Sequence, residues 1–165
     1  MYRMILFGHS YLRWFVLLLA LYVCLRSFLA WRRGGEWGRT DEKLSVALVS
    51  LVDLQLLVGL ALYFFLSPLT RAFMGNVGEA MKDPLVRFFG MEHLVGMVIA
   101  VALFHVGRAK AKRAEGGARK HKLAWSFTLA ALLVAAIAIP WPGLKYGRPL
   151  LRGMDAAPAE TATER

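Results

Sequence analysis

The chain has 165 residues, 58% of them hydrophobic, and a formal charge of +10. Soluble domains are about 45–50% apolar, and here the excess is concentrated in a few long runs, which points to a polytopic membrane protein rather than a water-soluble domain. Most basic residues flank those runs, where they set orientation and meet anionic lipid, so the charge argues against a nucleic-acid partner; Cys24, the single cysteine, rules out an intrachain disulfide and argues against a thiolate metal cluster.

The length fits one domain. No cleavable leader is expected, because the apolar run after Arg3 is too long for a signal core and lacks a small-residue cleavage site. A first span is expected over residues 5–31. Arg13 and Arg26 interrupt it within a few turns of its ends, where both can snorkel to the headgroups. Trp14 and Trp31 suit interfacial aromatic belts. The loop to Lys43 is polar, with Gly34 and Gly35 breaking the helix and Thr40 or Asp41 placed to cap the next one.

A second span is expected over residues 44–66, ending at Ser67-Pro68. Asp53 and Gln55 fall near its centre, and a lone carboxylate is costly at that depth. Arg26 approaches from the same side and is the expected partner of Asp53; a proton or quinone role for the carboxylate is the alternative. The following loop carries Gly75, Gly78 and Pro84, with a short surface helix expected over residues 72–81.

A third span is expected over residues 88–107, with Glu92 and His93 in its first turns and Met97 one turn beyond His93. A third loop with seven Lys/Arg leads to a fourth span over residues 123–139, stopped by Pro140-Trp141-Pro142. Residues 143–165 read as a polar, largely disordered tail, with Asp155 to Arg165 too poor in apolar residues to fold. The expected fold is therefore all-α, a four-helix transmembrane bundle running up-down-up-down. Loops one and three hold eleven Lys/Arg, so the positive-inside rule makes them cytoplasmic and sets both termini on the periplasmic or outer side. That is the pattern of a multi-pass protein of a bacterial cytoplasmic membrane.

His9 and His93 enter spans one and three from the same side, each four or five residues inside its apolar run. Two histidines at one depth on two helices are what axial ligation of a b-type haem requires. Arg13 and Arg87 stand near that level, and Arg suits the haem propionates. A second pair, His105 and His121, would give a transmembrane two-haem path. Against it, twelve residues at about 100° each leave His93 and His105 roughly 120° apart around their helix, and His121 between Lys120 and Lys122 reads more simply as an interfacial polar residue.

The stretches His9-Ser10-Tyr11-Leu12-Arg13-Trp14, Leu54-Gln55-Leu56-Leu57-Val58-Gly59-Leu60-Ala61-Leu62-Tyr63-Phe64, Arg87-Phe88-Phe89-Gly90-Met91-Glu92-His93, Lys120-His121-Lys122 and Ile139-Pro140-Trp141-Pro142 together resemble a family of small bacterial four-helix integral membrane proteins, uncharacterised or labelled cytochrome b-like. The resemblance covers most of residues 6–142. It implies haem b at His9 and His93; His105 is not part of the pattern.

Three functions follow as expectations. One is a membrane electron carrier exchanging electrons with a quinol or a respiratory-complex subunit. A second is a cofactor-free accessory or assembly subunit, in which the polar residues only hold helices together. A proton-linked transporter built on Asp53 and Gln55 is the third, and four spans without an internal repeat speak against it. An electron carrier or accessory subunit is favoured over an enzyme.

Overall fold

The computed structural model describes residues 1–151; the stretch from Asp155 to Arg165, expected to be disordered, lies outside them. The described chain is all-α. Its elements are α1 (Tyr2–Arg32), α2 (Arg39–Ala61) with a π-helical turn at Leu62–Leu66, α3 (Pro68–Gly75), α4 (Val77–Ala80), α5 (Pro84–Arg87), a second π-helical turn at Phe88–Glu92, α6 (His93–Arg113) and α7 (Gly117–Ala138).

Four segments are long and apolar enough to cross a membrane: Tyr2–Arg32, Arg39–Leu66, Pro84–Arg113 and Gly117–Ala138. Each is longer than its apolar run. At 1.5 Å per residue a 31-residue helix spans about 46 Å, the hydrocarbon plus both headgroup layers, so the charged ends continue the helices into the interface. Outward faces carry large apolar side chains such as Phe15, Leu18, Leu57, Phe65 and Ile137. In water an apolar surface of this extent would aggregate, whereas lipid solvates it.

The segment Arg39–Leu66 starts five residues earlier than the apolar run suggests. Gly38, not Thr40 or Asp41, is its N-cap, and Asp41 caps from the third position by accepting the Gly38 N–H at 3.0 Å. Where one surface helix was expected over residues 72–81, the second loop forms two, α3 and α4, with α5 following them. Ser67 and Asn76 cap them through side-chain oxygens.

Helices α1, α2, α6 and α7 each pack on two neighbours, in the cyclic order α1–α2–α6–α7. Thus α1 and α6 face each other across a diagonal. Helix α7 packs closest, and its buried face repeats Ala124, Thr128, Ala131, Ala135 and Ala138 at spacings of three and four. Small side chains at that period let backbones approach. Gly96 of α6 lies against the Ala138 side chain, and Gly107 against Phe127. A dry core of Ala20, Val23, Leu48, Val52, Phe104 and Ala131 fills the middle of the bundle.

At one end the first and third loops meet. Gly117 lies against the backbone of Gly35, Glu36 and Trp37, and His121 is buried against the Trp37 ring. At the other end residues 140–151 form a strap across the bundle. Tyr146 stacks on Phe88 at 3.8 Å between ring centroids. The Leu150 carbonyl accepts from Arg13 and Trp14, each at 3.1 Å. The first nine residues of the expected tail are therefore docked, because hydrogen-bond donors on α1 and an aromatic ring before α6 await them.

Candidate functional site

His9 projects from α1 and His93 opens α6, and the diagonal brings them together. Their ring centroids are 6.4 Å apart with planes at 76°. A five-membered ring with bonds of about 1.33 Å holds its nitrogens about 1.1 Å from its centre. Rings at this separation, turned nitrogen to nitrogen, leave about 4 Å between them, room for one metal ion with two bonds of about 2 Å.

The hydrogen bonds assign the tautomers. Nδ1 of His93 lies 2.7 Å from the Ala138 carbonyl. A carbonyl only accepts, so Nδ1 carries the proton and Nε2 keeps its lone pair. The Gln55 amide nitrogen lies 3.1 Å from the His9 carbonyl and 3.3 Å from His9 Nε2. It donates to both, so Nε2 of His9 is again the acceptor and its Nδ1 carries the proton. Both rings therefore hold the Nε2 lone pair that a metal-ligating histidine needs, and the Nδ1–H of His93 makes the backbone contact that usually orients such a ligand.

The two rings sit on the wall of a cavity of about 190 Å³. Apolar side chains from all four long helices make most of its lining, and His9, Ser10, Arg13, Gln55, His93 and Arg148 supply polar groups. His9 Nδ1, Arg13 Nε and Gln55 Oε1 are buried there without hydrogen-bond partners among the described residues. Unsatisfied buried polar atoms are costly, and their gathering on one cavity needs a cause; a group bound there supplies one. Gly59 contributes space, because a Cβ at that position would come 3.1 Å from His9 Cε1.

The π-helical turn at Phe88–Glu92 sets the heading of α6. The Gly90 carbonyl within it accepts the Tyr63 hydroxyl at 2.7 Å. Tyr63 lies in the other π-helical turn, Leu62–Leu66. Such turns recur at functional sites because they re-aim the residues that follow. Gly90 itself admits the Phe73 ring of α3, which leaves no room for a Cβ.

Several expected partners are different. Arg87 does not reach the cavity; it pairs with Glu92 at 2.7 Å and donates to the Met81 carbonyl. Arg148 of the strap lines the cavity beside Arg13 instead. Arg26 does not meet Asp53. It pairs with Asp41 at 2.7 Å, and because α2 starts at Arg39, Asp53 lies about 18 Å further along the helix. Asp53 pairs with His105 at 2.7 Å. His105 and His121 form no pair: His121 is held by the Glu36 carbonyl at 3.2 Å and by Trp37. His93 faces the cavity, whereas His105 is half exposed.

Gln55 was legible only as a polar residue near midplane. Its bond to His9 depends on helix rotation, which one-dimensional depth does not carry. Arg148 gave no signal, since a strap docked by one stack and two carbonyl bonds has no periodicity. Compared with known proteins, the chain matches no family model, no curated sequence and no solved structure.

Proposed function

We propose that this is an integral membrane electron carrier that holds one b-type haem between His9 and His93. The observation that carries the reading is the pair of imidazoles 6.4 Å apart on diagonal helices, each with its Nε2 lone pair assigned by a hydrogen bond, on the wall of a cavity. Two axial nitrogens are the donor set that a porphyrin iron, with four nitrogens of its own, still requires. The haem would supply one-electron chemistry. His93 would be the pre-oriented ligand through Ala138. His9 would exchange its Gln55 contact for the metal, leaving Gln55 on the His9 carbonyl. Arg13 and Arg148 would meet the propionates.

The protein would sit in a bacterial cytoplasmic membrane, its four long helices running up-down-up-down. The basic stretches at residues 32–43 and 108–122 would face the cytoplasm, which sets the haem end and both termini at the outer face. A quinol or a respiratory-complex subunit would be its electron partner.

A visible spectrum of detergent-purified protein, oxidised and dithionite-reduced, tests the reading. A reduced b-type band is expected, lost in His93→Ala and in His9→Ala while helicity by circular dichroism persists. A colourless wild-type protein from haem-replete cells would sink it and leave the cofactor-free accessory subunit. The three unpartnered polar atoms at the cavity weigh against that second reading.

A further inference from the structure

Asp53 and His105 form a polar pair that the haem reading does not use. Asp53 lies fourteen residues from the start and thirteen from the end of the segment Arg39–Leu66, and His105 lies eight residues from the end of Pro84–Arg113, so the pair falls within both membrane-length segments. His105 Nε2 is 2.7 Å from Asp53 Oδ1, and the two side chains are 48% and 43% exposed. Ionisable groups at this depth normally face the bundle interior or a wet cavity. This pair instead opens outward between α2 and α6, two helices that also expose large apolar side chains such as Leu54, Val98 and Ile99.

The bond to a carboxylate places the proton on His105 Nε2. With His105 neutral, its Nδ1 and Asp53 Oδ2 then remain as acceptors with no further partner among the described residues. A ligand that satisfies them must bring hydrogen-bond donors. It must also be lipid-soluble, since the half-exposed pair opens on the outer surface of two membrane-length apolar helices. We propose that the Asp53–His105 pair binds a lipophilic hydroquinone through its hydroxyl groups. The choice of a hydroquinone over other lipid hydroxyls rests on the electron-carrier reading, which needs a membrane-soluble donor. Val52 and Phe104, the chain neighbours of the pair, turn inward and line the His9–His93 cavity. One side-chain layer thus separates the lipid-facing pair from the cavity.

The acceptor character sets a preference between redox forms. A hydroquinone donates two hydroxyl protons to hydrogen bonds, whereas the oxidised quinone only accepts. The hydroquinone should therefore bind at least tenfold more tightly.

The test uses full-length protein in lipid nanodiscs with 15N-labelled histidine. It is titrated anaerobically with a decyl-substituted benzohydroquinone and, separately, with the matching quinone. Movement of the His105 ring-nitrogen resonances is expected at concentrations at least tenfold lower for the hydroquinone. Asp53→Asn, which places an amide donor beside His105, should narrow that ratio toward one. Equal response to both forms would overturn the proposal, as would movement confined to His9 and His93. Resonances that follow protein concentration rather than ligand would mean that a second copy covers the pair, and would also overturn it. The wild-type comparison needs no variant to fold. Because the readout is at His105, a colourless protein that still prefers the hydroquinone would retire the haem reading and keep this site.

Discussion

The hydroxyl of Tyr63 donates to the carbonyl of Gly90 at 2.7 Å and so joins the two π-helical turns of the bundle. One turn ends the second membrane segment and the other follows the first turn of the third, directly before His93. The backbone of Tyr63 is held in turn, its carbonyl accepting the Thr70 hydroxyl at 2.6 Å. This chain of bonds sets where α6 starts and which way His93 points.

Removing the hydroxyl in Tyr63→Phe strands a buried carbonyl, and such a loss costs about 1–3 kcal/mol. For a protein of this size the melting temperature should fall by about 2–4 °C per kcal/mol. A thermal melt in detergent reads the change. An unaltered melt would mean that the π-helical turns hold without this bond.

Gly59 and Gly8 make a matched pair. A side chain at Gly59 presses on the His9 ring, whereas one at Gly8 meets nothing within 4 Å. Gly59→Val should cost about 1–3 kcal/mol by overpacking and remove the reduced b-type band. Gly8→Val should leave the band unchanged. Equal spectra for the two variants would contradict the placement of His9.

Arg26 couples to Asp41 and not to Asp53. In a double-mutant cycle, Arg26→Ala with Asp41→Ala should show a coupling of roughly 1 kcal/mol, since contacting charges interact. Arg26→Ala with Asp53→Asn should add within about 0.5 kcal/mol, as separated sites do. Unfolding in graded denaturing detergent gives the four stabilities. Coupling to Asp53 would place Arg26 deeper than its bond to Asp41 allows.

Orientation can be read by labelling. In a Cys24→Ser background, Lys82→Cys should react with an impermeant maleimide on intact spheroplasts. Glu115→Cys should react only after lysis, because the basic loops stay inside. The reverse pattern would invert the protein and set the His9–His93 end toward the cytoplasm.

Hydrophobic runs alone made the four long helices legible, because a bilayer demands long apolar segments whatever surrounds them. Depth was legible too: His9 and His93 read as level from their distance to the ends of their runs. What depth could not supply was rotation about each helix axis and the true helix starts. Arg26 seemed to reach Asp53 only because the charged first turn of α2 was read as loop. Once α2 begins at Arg39, that guanidinium falls beside Asp41. Asp53 then turns to His105, on a helix expected to end just beyond it. Arg148 stands where Arg87 was expected for a similar reason. Arg87 is captured by Glu92 across a π-helical turn that no propensity announces. Arg148 arrives on a strap held by a Tyr146–Phe88 stack. Length and polarity are sums along the chain, so the sequence determined the spans. Partners are set by helix phase and by packing between distant segments, and only the tertiary structure could decide them.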